Sequence, residues 1–236
     1  METTISGSTG FSGRVLLRRV LLICGVVSSL FYVGADVFAA MQWKGYSYTD
    51  QAFSELTAIG APTRPLMVWL SSTWGVLVIA FGLGVWGSAG RNRALRITGV
   101  LLVANVVAGF GGGIFFPMHP RGTEGITGDT MHIVFTTAEV LFLMLSMGFG
   151  AAAHGKRFRL YSIVTIVVLL LFGAWAGMDA PQVAAGLPTP WMGIKERINI
   201  YASMLWVLVF AVTLLRAEKG RGSIIGQSME GNAIKG

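Results

Sequence analysis

Residues 109–139 read GFGGGIFFPMHPRGTEGITGDTMHIVFTTAE, and this stretch decides how the chain is arranged. Apolar, helix-like sequence flanks it on both sides. It therefore predicts the outer end of one transmembrane helix, a short extracytoplasmic loop and the start of the next helix. Ionisable groups this close to a bilayer need partners, because charge left in hydrocarbon is costly. The stretch holds two of the three histidines, His119 and His132, and the acidic residues Glu124, Asp129 and Glu139.

The composition predicts a helical membrane protein. Of the 236 residues, 53% are hydrophobic and 12% are charged, whereas soluble domains carry about 25% charged residues. Apolar runs close to 20 residues long complete the pattern, because a helix of about that length crosses the hydrocarbon core. The formal net charge of +7 is what basic cytoplasmic loops produce, so we expect no nucleic-acid partner.

Six apolar segments are predicted to form one all-α bundle of transmembrane helices within residues 14–216. Polar sequence before and after it, 1–13 and 217–236, is expected to form disordered cytoplasmic tails. Arginines followed by the first apolar run also resemble a signal peptide, but a first helix that stays attached is the favoured interpretation. The predicted spans are 17–40, 65–87, 97–116, 131–153, 160–178 and 198–216.

Basic and acidic residues are distributed unevenly between the two ends of this bundle. The end with both termini carries 13 of the 18 Lys and Arg residues, and the other end carries 5. By the positive-inside rule we expect cytoplasmic termini in a multi-pass protein of the plasma (inner) membrane. Eight of the 11 acids lie at or near the other end. Together with His119 and His132, this concentration predicts a polar site on the extracytoplasmic side.

Polar residues recur at helical spacing on the first and fourth spans: Ser29, Tyr32 and Asp36 on one, His132, Thr136 and Glu139 on the other. Residues at this spacing share one face of a helix, and polar faces turn toward the bundle rather than toward lipid. At 1.5 Å per residue, Glu139 should lie about 12 Å into the membrane. Asn105 is expected at a similar depth, as a candidate hydrogen-bond partner.

Four short motifs occur in order on the predicted outer side. They are SEL at 54–56, FPMH at 116–119, a histidine that opens the fourth span, His132, and GIKER at 193–197. With six spans of this length, the chain from about 15 to 216 resembles the bacterial membrane proteins grouped as domain of unknown function 998. In that family FP is often followed two residues later by Asp, and here that position is His119. The resemblance implies an architecture and the location of a site, but no reaction.

One hypothesis for function is a metal centre. His119 and His132, with carboxylates such as Asp129, would bind zinc or another divalent metal and leave a position open for water. The metal would lower the pKa of that water to about 7, and a nearby carboxylate would act as general base. The protein would then hydrolyse a lipid or an amide at the outer leaflet. The candidate catalytic residues are Ser54, Glu55, Asp129 and Arg197, with Ser54 or Arg197 to hold an oxyanion or a phosphate.

A second hypothesis is the binding of a small molecule or a lipid headgroup in a polar cavity open to the outside. Its variant is a transporter of small molecules or protons, in which Glu139 is the protonatable group. The candidate ligand-binding residues are Asp36, Glu55, His119, His132, Glu139 and Arg197.

A third hypothesis is a structural or regulatory protein embedded in the bilayer. Arg197 would pair with Glu55 or Asp179 and hold the outer loops, and His132 would hydrogen-bond within a helix pair. The structural and ligand-binding hypotheses are favoured over hydrolysis. Whether the protein is an enzyme, which ligand it binds and which oligomer it forms stay open at this point.

Overall fold

The computed structural model describes residues 6–123 and 127–233, and all regular secondary structure within them is helical. The helices are α1 Ser6–Gln42, α2 Arg64–Ser88, α3 Arg93–Phe110, α4 Thr127–Ala152, α5 Lys156–Gly177, α6 Ala180–Ala184 and α7 Met192–Ala233. A 3₁₀ turn, Phe53–Thr57, lies in the first long connection, and a π-helical turn, Gly111–Phe115, extends α3. Glu124, one of the acids of the quoted stretch, lies outside the described residues.

Six of these helices, all but the short α6, are long and apolar enough to cross a membrane. The prediction of an all-α, multi-pass membrane protein is therefore confirmed. Two helices extend beyond the predicted spans, since α1 begins at Ser6 and α7 ends at Ala233. The described parts of both expected tails are thus helical. Adding a residue to an existing helix costs much less than starting a new helix, so helices readily continue past their apolar cores.

The six spans form a closed bundle in which α1 to α5 pack in chain order and α7 lies between α5 and α1. Glycines bring α2 close to both of its neighbours. A Cβ atom on Gly82 would lie 2.8 Å from the carbonyl oxygen of Gly99 in α3, and one on Gly84 would lie 3.0 Å from the carbonyl carbon of Leu21 in α1. Small residues at such contacts are typical of membrane helix packing, which depends on close van der Waals contact.

The bundle has two unlike ends. The loop end carries the three long connections, between α1 and α2, between α3 and α4, and between α5 and α7. The terminal end carries both chain termini and the two short turns, 89–92 and 153–155. Apolar side chains fill the terminal half, with Trp206 and Phe210 stacked at a ring-centroid distance of 4.8 Å. The principal buried residues there are Leu22, Phe81, Val85, Leu102, Met147, Trp206 and Phe210.

Candidate functional site at the loop end

The three long connections are tied to one another by hydrogen bonds. The Thr189 hydroxyl donates to the carbonyl oxygen of Asp50 over 2.8 Å, which joins the third connection to the first. The amide of Ile59 donates to the carbonyl oxygen of Met118 over 2.9 Å, which joins the first connection to the second. The three connections are therefore held together as one unit. The charged residues of the loop end lie within these connections or in the helix ends next to them.

Asp36 of α1 and Arg197 of α7 form an ion pair at the centre of the loop end. Arg197 Nε donates to Asp36 Oδ2 over 2.8 Å, and Nη2 donates to Oδ1 over 2.9 Å. The two residues are 1% and 2% exposed. Two parallel charge-assisted hydrogen bonds of this kind fix the relative orientation of both partners. The pair therefore fastens the first span to the last.

Arg197 has no donor left for a ligand. Its Nη1 donates to the carbonyl oxygens of Tyr48 and Gly193 over 2.9 and 3.3 Å, and its Nη2 also donates to the Tyr46 hydroxyl over 3.0 Å. With the two bonds to Asp36, all five N–H groups of the guanidinium are used. The guanidinium carbon also lies 3.6 Å from the centroid of the Tyr48 ring.

Three tyrosines complete this cluster, and sequence reasoning did not assign them to the site. The hydroxyls of Tyr48 and Tyr201 both donate to Asp36 Oδ2, the former over 3.0 Å. Burial raises the pKa of Tyr46 and of Tyr48 above the ordinary value of a phenol, so both hydroxyls keep their protons. Tyr46 uses its proton toward the carbonyl oxygen of Ala52, over 2.7 Å.

Glu55 and Arg121 form a second ion pair, closer to the surface. Arg121 Nη2 lies 2.6 Å from Glu55 Oε1, and Nε lies 3.3 Å from Oε2. The side chain of Glu55 is 4% exposed and that of Arg121 is 20% exposed. Arg121 also donates to the carbonyl oxygen of Leu187 over 2.8 Å and to the Thr189 hydroxyl over 2.9 Å. Arg121 therefore joins all three connections, a role the sequence analysis did not give it.

The partners of Arg197 differ from those we expected. Glu55 and Asp179 were the predicted carboxylates, but each has another cation. Glu55 pairs with Arg121, and Asp179 pairs with Lys195 over 2.7 Å. The ammonium of Lys195 also lies 4.9 Å from the ring centroid of Trp175. Spacing along one helix predicts which residues share its face, but it does not predict which residue of another helix lies opposite.

A cleft opens beside the Glu55–Arg121 pair. Its volume is about 300 Å³, at the lower limit of ordinary ligand sites. It is lined by Trp43, Gln51, Glu55, Ala58, Ile59, Gly60, Ala61, Pro120 and Arg121. We call it the loop-end cleft. Its polar groups lie together on Gln51, Glu55 and Arg121, and the remaining side chains are apolar.

The two histidines of the quoted stretch lie in different surroundings. His119 Nδ1 lies 3.0 Å from Asp129 Oδ1, and the His119 amide donates to the same oxygen over 2.8 Å. His132 Nδ1 lies 2.9 Å from the carbonyl oxygen of Gly112 and 3.1 Å from that of Phe116. A carbonyl oxygen only accepts hydrogen bonds, so His132 carries its proton on Nδ1 and satisfies carbonyls of the π-helical turn.

These positions do not fit the expected metal centre. Within residues 6–123 and 127–233, the structure contains no group of three or more His, Cys, Asp or Glu side chains arranged to hold a metal ion. The structure brings His119 to Asp129, while Nδ1 of His132 is engaged by backbone carbonyls. The hydroxyl of Ser54 makes no hydrogen bond to a described residue, so no base activates it as a nucleophile. We therefore derive no hydrolytic step from this site.

Three acids in the loop half have no cation within ion-pairing distance among the described residues: the exposed Asp50 and the half-buried Glu139 and Glu196. The carboxyl group of Glu139 packs against Gly109, where an added Cβ would lie 2.9 Å from Oε1. Asn105 does meet Glu139, but its amide donates to the backbone carbonyl of Glu139 over 2.8 Å rather than to the carboxyl group. Glu196 accepts a hydrogen bond from the amide of Phe53.

The Tyr32 ring stacks on Phe53 at 5.4 Å and meets the edge of Trp74 at 5.2 Å. Trp74 is 7% exposed, and its Nε1 has no hydrogen-bond partner among the described residues. These side chains border a small cavity of about 10 Å³, which is just large enough for one water molecule.

The predicted site residues thus fall into separate clusters rather than one. Asp36 and Arg197 form the buried ion pair, Glu55 lies at the loop-end cleft, and His119 lies with Asp129. His132 and Glu139 each contact the end of α3 or its π-helical turn. The loop-end cleft, at about 300 Å³, is large enough for more than a solvent molecule.

Comparison with known families agrees with this architecture. The model of the family described as "Protein of unknown function (DUF998)" matches residues 26–213, and the chain belongs to that family. No curated protein and no solved structure matches the chain.

Proposed function

We propose that this member of the DUF998 family binds a membrane lipid, or an amphiphile of similar form, in the loop-end cleft. The observation that carries the proposal is the lining of the cleft, in which the polar side chains of Gln51, Glu55 and Arg121 occur together with apolar side chains. A headgroup needs hydrogen-bonding groups, and the acyl chain joined to it needs apolar surface. Both occur here side by side, at an end of the transmembrane bundle.

The apolar wall suits a ligand that stays in contact with the bilayer. Trp43 follows directly on α1, and tryptophan is enriched at the boundary between bilayer and water. Ile59 remains 42% exposed at the edge of the cleft. An acyl chain would cover part of that exposed surface, while a soluble polar metabolite would leave it in water.

The proposal includes the orientation inferred from the sequence, with the loop end outside the plasma membrane and both termini in the cytoplasm. Single cysteines test it. In a Cys24→Ser background, Ser47→Cys at the loop end should react with a membrane-impermeant maleimide on intact cells, and Arg91→Cys at the terminal end should react only after permeabilisation. The opposite pattern would place the cleft on the cytoplasmic side.

Binding itself is tested by closing the cleft. The substitution Ile59→Trp places a large side chain at its edge, and Ile133→Trp makes the same change at an exposed position on α4 away from it. Purified wild type in a neutral detergent should be stabilised against thermal unfolding by phosphatidylglycerol. The stabilisation should be retained in Ile133→Trp and lost in Ile59→Trp. Equal stabilisation of all three proteins would contradict the proposal.

A second candidate function is favoured by the two half-buried carboxyl groups that have no cation partner among the described residues. Glu139 and Glu196 in the loop half would bind a proton or a small cation, because a lone carboxylate in a bilayer is costly. Glu139→Gln in liposomes tests this function: cation-dependent proton movement should fall, with Asp50→Asn as a matched control at an exposed loop position. Apolar packing in the terminal half counts against a wide transport path, so lipid binding is the principal proposal.

A further inference from the structure

The hydrogen bonds around the loop-end cleft restrict the chemistry of its ligand. Glu55 is the only acid in the lining, and its carboxylate is fully engaged. Oε1 accepts from the amide of Ala52 over 3.0 Å and from Arg121, and Oε2 accepts from Gln51 over 3.0 Å and from Arg121. A carboxylate has about four lone-pair positions, so Glu55 has none to offer to a ligand.

The polar side chains of the cleft retain donors instead. Arg121 has five N–H groups and uses four of them, toward Glu55, Thr189 and Leu187. One N–H of its Nη1 remains. Gln51 donates one N–H of its amide to Glu55, while its carbonyl oxygen accepts from the amide of Ser47 over 2.8 Å. The second N–H of Gln51 remains as well. Two side chains that line the cleft thus each have one N–H without a partner among the described residues, and a ligand acceptor would complement these donors.

Two cations and one acid lie in the chain close to residues that line the cleft. Glu55 and Arg121 neutralise each other. Lys44 is exposed directly after Trp43 in the chain. Arg64 follows the cleft residues 58–61 and donates to the carbonyl oxygens of Thr57 and Ile114. Neither cation forms an ion pair in the described part of the chain, and the exposed Asp50, directly before Gln51, carries the opposite charge.

We propose that the headgroup bound in the loop-end cleft is a phosphate ester, with its anionic oxygens on Arg121 and Gln51. This inference rests on the proposed lipid binding and adds the class of headgroup. A phosphate supplies several strong acceptors and a negative charge, and arginine binds it well because the guanidinium offers directed, charge-assisted donors. The glycerol or other alcohol beyond the phosphate points to solvent and is not selected.

The contrast with Arg197 shows why the phosphate belongs at Arg121. Sequence reasoning offered Arg197 as the residue that holds a phosphate. In the structure Arg197 is 2% exposed, and all five of its N–H groups are engaged by Asp36, Tyr46, Tyr48 and Gly193. Of these two arginines, Arg121 is the one that is partly exposed, lines a cavity and keeps a donor without a partner among the described residues.

The test compares three probes on the full-length protein in a neutral detergent. They are dioleoyl phosphatidylglycerol, dioleoylglycerol and inorganic phosphate, with bound ligand counted by native mass spectrometry during a titration. The first two share their acyl chains and differ in the phosphate ester. Phosphatidylglycerol should bind about tenfold more tightly than dioleoylglycerol, the ratio that one charge-assisted contact typically gives. Inorganic phosphate should bind much more weakly than either.

Two variants and one control variant locate the binding. Ile59→Trp leaves Arg121 in place and should abolish the preference for phosphatidylglycerol by closing the cleft, while Ile133→Trp should preserve it. Arg121→Lys keeps the positive charge but offers fewer N–H donors. It should reduce the ratio of the affinities for phosphatidylglycerol and dioleoylglycerol toward one.

Each outcome separates the two proposals. Equal affinity for both lipids, still lost in Ile59→Trp, would overturn the phosphate inference and keep lipid binding. Affinities that do not change in Ile59→Trp would overturn both. If inorganic phosphate binds as tightly as phosphatidylglycerol, the site binds free phosphate and the proposal of lipid binding is overturned.

Discussion

Two of the ion pairs of the loop end, Asp36–Arg197 and Glu55–Arg121, use the same chemistry for different purposes. Asp36 and Arg197 join two transmembrane helices, and every donor of the arginine is engaged. Glu55 and Arg121 join three connections, and the arginine keeps 20% of its side chain exposed and one N–H unused. The difference teaches that burial of a charged pair does not itself mark a binding site. The proposed site rests instead on a donor without a partner among the described residues, next to a cavity.

The largest expected effect comes from breaking the saturated pair. Arg197→Ala leaves the carboxylate of Asp36, 1% exposed, without its cation. Loss of one partner of a buried ion pair typically costs about 3–5 kcal/mol. We expect a comparable loss in the free energy of unfolding, measured by chemical denaturation in mixed micelles. Arg91→Ala at the exposed turn of the terminal end is the control. A loss below about 1 kcal/mol would show that Arg197 does not have the structural role described here.

The corresponding change at the second pair should cost less. Arg121→Ala leaves Glu55 with two hydrogen bonds, from Gln51 and the amide of Ala52. Its carboxylate is also nearer to solvent, because Arg121 is partly exposed. The expected loss is about 1–3 kcal/mol, that of a buried acceptor deprived of part of its hydrogen bonding. A larger loss than for Arg197→Ala in the same denaturation series would reverse the comparison.

Lysine at both positions sharpens the comparison. Lysine keeps the positive charge but has three N–H groups where arginine has five. Arg197→Lys cannot serve four partner residues, and we expect a loss of about 1–3 kcal/mol from unsatisfied acceptors. Arg121→Lys should lose about 1 kcal/mol, because solvent can replace its missing bonds. Equal losses in thermal unfolding would show that charge alone explains both sites.

The smallest expected effect has the opposite sign. Glu139→Gln replaces an acid that has no cation partner among the described residues with a neutral side chain of the same shape. Removing an unpaired charge from a bilayer should stabilise the protein slightly, by about 1 kcal/mol at alkaline pH. A marked destabilisation in the unfolding curve would indicate that the carboxylate has a favourable partner.

The fold could be predicted from the sequence because the hydropathy of consecutive residues is enough to identify a transmembrane helix. Apolar runs close to 20 residues must cross the membrane as helices, whatever their neighbours are. The described structure confirms six spans. In the glycine run that follows α3, an added Cβ on Gly111 would lie 2.3 Å from the ring of Phe135 in α4, a close contact typical of small residues in membrane helix packing. The exact helix ends were harder to predict, because both terminal helices continue into polar sequence.

The site was only partly predictable because its contacts join distant parts of the chain. Sequence reasoning placed Asp36, Glu55 and Arg197 at the same end of the bundle, but it could not pair them. Two signals were available and went unused. Arg121 is the only basic residue between the third and fourth spans, and Tyr201 lies four residues after Arg197 on the same helix face. The loop-end cleft depends on the meeting of two connections, which no local pattern specifies.

The central claim is that a phospholipid occupies the loop-end cleft, and the most direct measurement is quenching of Trp43 by brominated phosphatidylglycerol. Bromine quenches tryptophans that touch the labelled acyl chain. The signal of Trp43 is obtained as the difference between wild type and Trp43→Phe. The signal of Trp69 is obtained in the same way. Trp69 is 76% exposed on the outer surface of α2, so its signal reports on the surrounding detergent and lipid.

At a few lipids per protein in a neutral detergent, the account predicts that Trp43 is quenched well before Trp69. It also predicts that Ile59→Trp removes this early quenching. Parallel quenching of both tryptophans, unchanged in the variant, would mean that lipid only surrounds the bundle and that the cleft is empty of it.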